Sequence, residues 1–118
     1  MSIAIHDLDK EIKLIESCSD GNIRIWNFHS AILLNKIKVD NDWIFGICLW
    51  NKDYLFVACK YKIIKMINIK KGIIEKNIEG HNSGIFTIKK IYHPKYGECL
   101  LSQGYENDQI KLWININD

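Results

Sequence analysis

A short motif of alternating apolar and basic residues occurs three times along the chain at nearly fixed intervals. It reads Ile-Arg-Ile-Trp at residues 23–26, Ile-Lys-Met-Ile at 64–67 and Ile-Lys-Leu-Trp at 110–113. The last residues of the three copies are separated by 41 and 46 positions. A second pair of segments repeats independently, because Trp-Ile-Phe-Gly-Ile at 43–47 lies 41 positions before Gly-Ile-Phe-Thr-Ile at 84–88. Because two different sequence patterns recur at nearly the same interval, we predict a repeat protein.

The length of the repeat limits the architecture. A period of roughly 40 to 45 residues is typical of four-stranded propeller blades, and an isoleucine-rich chain with one proline suits many strands. The 118 residues supply fewer than three such units, whereas closed rings use about four to eight blades. We therefore predict an all-β fold, an incomplete β-propeller of two four-stranded blades plus a third blade that lacks its outer strand.

The whole chain is expected to form one partial propeller domain, with blade one at residues 1–42, blade two at 43–83 and blade three at 84–118. The predicted strands are 2–7, 12–18, 22–28 and 32–38, then 43–49, 54–59, 63–69 and 73–78, then 85–92, 99–104 and 109–116. Each end blade would have a neighbour on one side only. Because uncovered sheet faces and edges invite association, we expect the isolated chain to oligomerise, to aggregate, or to need further blades in the same chain or a partner.

Three segments resemble the WD-repeat β-propeller family. They are Ser-Asp-Gly-Asn-Ile-Arg-Ile-Trp at 19–26, Gly-His at 80–81, and Tyr-Glu-Asn-Asp-Gln-Ile-Lys-Leu-Trp at 105–113. The resemblance spans almost the whole chain. It is strong in the third repeat, good in the first and degraded in the second, which has Val39-Asp40 in place of Gly-His and Ile67 in place of Trp.

The resemblance implies a hydrogen-bonded network inside the third blade. In WD-repeat proteins the Trp of the third strand, a Ser or Thr of the second strand, the His of Gly-His and an acidic turn residue commonly share hydrogen bonds. The corresponding residues would be Trp113, Ser102, His81 and either Asn107 or Asp108. A buried indole N–H needs such a partner.

The repeated basic residue of the motif is interpreted as structural. Arg24, Lys65 and Lys111 occupy the same place in the three copies. A long basic side chain can lay its methylene groups over a sheet and hold its charge in water. We therefore expect these three charges to be solvated.

One rim of the predicted propeller is the candidate partner-binding surface. The loops between blades and the turns between second and third strands emerge on that rim, which should bring Trp43, Tyr61 and Tyr105 together. Such aromatic residues are enriched among interface hot spots. A mixed-charge surround would consist of Asp42, Lys60 and Glu106. The alternative is that Trp43, as the first residue of a strand, packs inward and that the tyrosines only cover turns.

Enzymatic chemistry is not favoured. His81 could act as a base only if Ser83 or Ser102 and an orienting acid converged with it in a pocket, and the sequence has no nucleophile elbow. It also lacks a Gly-rich phosphate loop, and its cysteines and histidines lack metal-ligand spacing. We predict no enzymatic activity, no catalytic or metal-binding residue and no cofactor.

The net charge and the cysteines limit which ligands and which cellular location the sequence favours. The net charge is only +2, and the lysines between residues 60 and 76 are dispersed over the predicted blade, so a polyanion or phosphoinositide site is the weaker alternative and nucleic acid is not favoured. The four cysteines form no C-x-x-C pair and follow no signal peptide, which favours an intracellular, cytoplasmic location. No apolar run is long enough to span a membrane.

The sequence therefore predicts a non-enzymatic interaction scaffold that binds a peptide or protein partner through the loops of the rim. That step rests on the resemblance, because propellers host many functions. The alternative is a fragment of a longer WD-repeat protein whose enzymatic or regulatory domain lies outside these residues.

Overall fold

The computed structural model describes residues 3–8, 11–60, 62–105 and 109–114. Within these ranges the chain forms eleven β-strands and no helix. The strands are β1 (Ile3–Leu8), β2 (Glu11–Ser17), β3 (Asn22–Asn27), β4 (Leu33–Lys38), β5 (Ile44–Leu49), β6 (Tyr54–Cys59), β7 (Ile63–Asn68), β8 (Ile73–Glu79), β9 (Ile85–His93), β10 (Gly97–Gly104) and β11 (Ile110–Trp113).

The strands form three antiparallel sheets, which we call blades one, two and three. Blade one has the order β1-β2-β3-β4, blade two β5-β6-β7-β8 and blade three β9-β10-β11. The predicted all-β fold of two four-stranded blades and one three-stranded blade is confirmed. In the part of the chain that the structure describes, no helix is long and apolar enough to cross a membrane.

The middle blade is covered on both faces, which explains its apolar second strand. In β6 the side chains of Leu55 and Val57 join a core cluster with blade one, whereas Phe56 and Ala58 join a second cluster with blade three. Alternate residues of a strand point to opposite faces, so a strand between two packed sheets must be apolar throughout. Each pair of neighbouring blades thus has its own core.

The pairing of strands shows that the three motifs are structurally equivalent. The last residue of each motif lies opposite a leucine of the preceding strand: Trp26 opposite Leu14, Ile67 opposite Leu55 and Trp113 opposite Leu100. The pairing of β3 with β4 shifts register just before Trp26, and that of β7 with β8 shifts just before Ile67. The predicted equivalence of these three positions is confirmed.

The turns after β2 and β6 each place a residue with positive φ at equivalent positions. Gly21 has a φ of 83°, and Lys62, which lies 41 positions later, has a φ of 72°. The carbonyl oxygen of Gly21 accepts hydrogen bonds from the amides of Val39 and Asp40. The turn between the second and third strands is therefore tied to the loop that leads to the next blade, at one rim of the arc.

Candidate interaction rim

Loops from blades two and three meet at the rim that the strand order predicts. Asp42, in the loop before β5, pairs with Lys60, which follows β6, at 3.3 Å between Oδ2 and Nζ. The backbone of Gly84, before β9, lies against Lys60 so closely that an added Cβ would be 2.5 Å from its carbonyl oxygen. The inter-blade loops and the turns after the second strands therefore form one surface.

Three aromatic rings form a row on this surface. The ring of Phe45 lies edge-to-face against Trp43, with centroids 6.4 Å apart, and edge-to-face against Tyr105, with centroids 5.3 Å apart. Trp43 is 57% exposed and Tyr105 is 42% exposed. We call Trp43, Phe45 and Tyr105, together with the Asp42–Lys60 ion pair, the rim patch.

The rim patch contains four of the six residues that the sequence selected. Trp43 is not packed in the core, so the inward alternative does not describe its position. Phe45 was missed, and because the pairing of β5 with β6 is irregular at this residue, regular strand alternation does not predict its side. Tyr61 and Glu106 lie outside the described residues.

Backbone hydrogen bonds hold Tyr105 in place. Its amide donates to the carbonyl of Gly84 at 2.9 Å, and its carbonyl accepts from the hydroxyl of Ser83 at 2.9 Å. The serine that could have been considered a nucleophile thus binds the backbone beneath the rim patch. The amide and the carbonyl of Tyr105 are therefore both bound to the loop before β9.

A second group of residues forms a hydrogen-bonded network inside blade three. The Nε2 atom of His81 lies 2.7 Å from the hydroxyl oxygen of Ser102, and the indole Nε1 of Trp113 donates to the same oxygen at 2.7 Å. His81 and Ser102 are buried. The hydroxyl of Ser102 therefore bridges the inter-blade loop to β11. Asn107 and Asp108 lie outside the described residues.

The repeated lysines cap backbone carbonyls. The Nζ of Lys65 donates to the carbonyl of Val39 at 2.7 Å, and the Nζ of Lys111 donates to the carbonyl of Gly80. Val39 and Gly80 are equivalent, since they lie 41 positions apart in the loops that lead into blades two and three. The expectation that these charges are solvated is wrong for both lysines, because a carbonyl of the incoming loop lies within reach of the ammonium group.

Arg24 has a different partner in blade one. Its guanidinium donates to Asp20 at 3.0 Å. Hydrogen bonds from Asn22 and then from Arg24 lower the pKa of Asp20 to about 2. This ion pair links the turn after β2 to β3 within blade one.

Blade two lacks the hydrogen-bonded network of blade three. The counterparts of His81, Ser102 and Trp113 are Asp40, Val57 and Ile67. Asp40 instead lies 4.0 Å from the ammonium of Lys65. Burial, with a smaller effect from the charge of Asp40, raises the pKa of the Cys59 thiol to about 12. The middle blade therefore combines an apolar interior with one ion pair.

Among the residues described, no three His, Cys, Asp or Glu side chains are placed to hold a metal ion together.

No family model matches the sequence, and no curated protein matches it. Solved structures do match the fold. The WD40 β-propeller domain of Doa1 aligns with a TM-score of 0.76 at 19% identity over 89% of this chain.

Two further propellers align as well. U3-55K has a TM-score of 0.75 at 16% identity over 96% of this chain, and the WD40 repeats of RRP9 have 0.74 at 16% over 95%. The matches cover 33%, 33% and 32% of those three chains, so this chain spans about a third of each. The chain has the fold of part of a WD40 β-propeller.

Proposed function

We propose that the chain is a non-enzymatic interaction scaffold that binds a peptide or protein segment at the rim patch. The observation that carries the proposal is the row of three contacting aromatic rings whose two outer members, Trp43 and Tyr105, are about half exposed. Trp and Tyr supply much of the binding energy at protein interfaces. The propeller fold supports this function by analogy alone, since propellers serve many functions.

The rim patch has the features of a preformed binding surface. Its aromatic faces lose water on contact, and Trp and Tyr side chains combine a large apolar area with a polar group. The Asp42–Lys60 pair lies beside the rings and adds charges of both signs. Because the backbone of Tyr105 is already held by Ser83 and Gly84, little ordering is needed on binding.

The test is selection of random peptides on the immobilised chain, followed by calorimetric titration with the selected peptides. We expect Trp43→Ala and Tyr105→Ala each to weaken binding about thirtyfold, since loss of a hot-spot aromatic costs about 2 kcal/mol. Tyr92→Ala is the matched control, because Tyr92 is an exposed aromatic residue at the opposite end of β9. Failure to select any peptide, or equal affinity for all three variants, would contradict the proposal.

A second candidate is that these blades are part of a longer WD-repeat protein with an enzymatic or regulatory domain elsewhere. The support is that the chain spans about a third of each structure that it resembles. Reading the transcript on both sides of the coding sequence tests this candidate. Further in-frame repeats would support it, and stop codons on both sides would contradict it.

Binding of a polyanion or phosphoinositide is less well supported by the side chains. Several lysines already have partners: Lys60 pairs with Asp42, Lys65 caps Val39, and Lys90 pairs with Glu98. Binding to heparin with a steep salt dependence would favour this class over protein recruitment.

The proposed location is intracellular and cytoplasmic. Cys18, Cys48, Cys59 and Cys99 are all free thiols, and burial raises the pKa of the Cys48 and Cys59 thiols. Protonated, buried thiols remain unreactive in a reducing compartment. Imaging of the tagged chain in cells tests the location.

A further inference from the structure

Each blade has one face toward the blade after it, which we call the following face. In blade one this face includes Ile15 and Ile25, and in blade two it includes Phe56 and Met66; each pair lies opposite across two strands, and all four are buried against the next blade. The equivalent pair in blade three is Leu101 and Leu112.

The following face of blade three is apolar and uncovered in the described chain. Leu112 is 39% exposed, and Ile110, on the same side of β11, is 62% exposed. Their counterparts in blade two, Met66 and Ile64, are buried in the core shared with blade three. The positions that are buried in blades one and two are therefore exposed in blade three.

The opposite end shows the same interface from the other side. The face of a blade toward the blade before it, its preceding face, carries Leu55 and Ile67 in blade two, where both are buried against blade one. In blade one the equivalents are Leu14 and Trp26. They line an open groove of about 330 Å³ together with Phe28, which is 52% exposed.

The indole N–H of Trp26, which lies in this groove, already has a hydrogen-bond acceptor. The indole Nε1 of Trp26 donates to the carboxylate of Glu16 at 3.3 Å. Glu16 occupies the position that Ser102 has in blade three, opposite the basic residue of its motif. A blade that covered the groove would therefore not leave the indole without an acceptor, which would otherwise be costly.

We propose that a second copy of this chain covers the groove, with the following face of its blade three on the preceding face of blade one. The two faces are the halves of an interface that the chain already forms twice internally. Such head-to-tail contacts close into a ring when the rotation per unit fits. Two copies would supply six blades, within the range of about four to eight found in closed propellers.

Light scattering coupled to size exclusion tests the proposal on the 118-residue chain. We expect a mass of about 28 kDa, twice the 13.8 kDa of one chain. Phe28→Glu damages the preceding face of blade one, and Leu112→Glu damages the following face of blade three. Each variant alone should be monomeric, because both interfaces of its ring would contain a damaged face.

Mixing the two variants gives the decisive measurement. One interface of the mixed pair then combines both damaged faces, while the other combines two intact faces, so a dimer should reappear. Ile73→Glu is the control, since Ile73 is 47% exposed on the outer strand of the middle blade, outside both end faces, and this variant should remain dimeric. Far-UV circular dichroism of each variant shows that it is folded.

Several outcomes would overturn the proposal. A monomeric wild-type chain would show that the end faces do not bind each other. A mixture that stays monomeric would show that any wild-type dimer uses another contact, such as blade one against blade one. A mass well above two copies would show open head-to-tail growth instead of a six-bladed ring.

Discussion

Blades two and three place different chemistry at equivalent positions and still adopt the same strand arrangement. In blade three, His81, Ser102 and Trp113 share hydrogen bonds. In blade two the same positions hold Asp40, Val57 and Ile67. Val57 and Ile67 are fully buried and need no hydrogen-bond partner. Apolar packing therefore suffices to form a blade, and the polar network of blade three is an addition to that packing.

The two blades also differ in how the incoming loop meets the third strand. A Cβ on Gly80 would lie 2.6 Å from the Cη2 atom of Trp113, so this indole occupies the space that a side chain would need. In blade two, Val39 takes the place of Gly80 and packs in one cluster with the smaller Ile67. Gly with Trp, and Val with Ile, are thus two solutions to one packing problem.

The largest expected loss of stability comes from placing valine, which blade two has at position 39, at the equivalent position 80 in the loop before blade three. Gly80→Val would force a branched residue into a φ of 155° and against the indole of Trp113. Backbone strain of about 1 to 3 kcal/mol and overpacking of similar size should lower the free energy of unfolding by at least about 2 kcal/mol. Chemical denaturation measures the loss. If Gly80→Val and the control Glu79→Val lowered the stability equally, the packing comparison would be wrong.

The reverse exchange tests the same comparison in blade two. Ile67→Trp should clash with Val39 and destabilise the chain by about 1 to 3 kcal/mol, as overpacked cores do. Val39→Gly in the same chain should recover part of that loss, because it clears the space that Gly80 clears in blade three. A double mutant with a loss equal to the sum of the single losses would contradict the coupling.

Breaking the polar network of blade three should lower the free energy of unfolding by about as much as Ile67→Trp does in blade two. His81→Ala or Trp113→Phe removes a partner from the buried hydroxyl of Ser102, which should cost about 1 to 3 kcal/mol. The two losses should overlap, because both act through one hydroxyl. Denaturation of the double mutant gives the coupling energy, and strict additivity would show that the residues act separately. Asp40→Ala, at the position equivalent to His81, is the control outside this network.

Part of the pH dependence of blade two should come from the buried thiol of Cys59. Because the folded-state pKa of Cys59 is raised to about 12, its contribution to stability is fully present below the unfolded-state pKa of about 8.5 and is lost as pH rises toward 12. A raised pKa predicts a loss of about 1 kcal/mol between pH 9 and 10. Denaturation at the two pH values should show a smaller loss for Cys59→Ala. An equal loss in both proteins would place the alkaline sensitivity elsewhere.

The sequence predicted more of the fold than of the contacts. The repeat placed Trp26, Ile67 and Trp113 at equivalent positions because strand pairing follows sequence spacing closely. It did not predict that Lys65 and Lys111 cap carbonyls, since the reach of a lysine to another loop depends on how the blades pack. The role of Phe45 was missed for a similar reason, because an aromatic residue within a strand does not show in sequence whether it lies at an exposed rim.

The smallest expected effect compares blade two with blade one. Lys62 adopts a φ of 72°, at the position where Gly21 has a φ of 83°. A left-handed conformation costs a residue with a Cβ roughly 1 to 2 kcal/mol, whereas glycine adopts it freely but loses about 0.5 to 1 kcal/mol through its greater freedom when unfolded. Lys62→Gly should therefore stabilise the chain by about 0.5 kcal/mol in thermal or chemical denaturation. Lys62→Ala keeps the Cβ and should bring no such gain, so equal stabilisation by both variants would show that the lysine side chain, and not its backbone conformation, carries the cost.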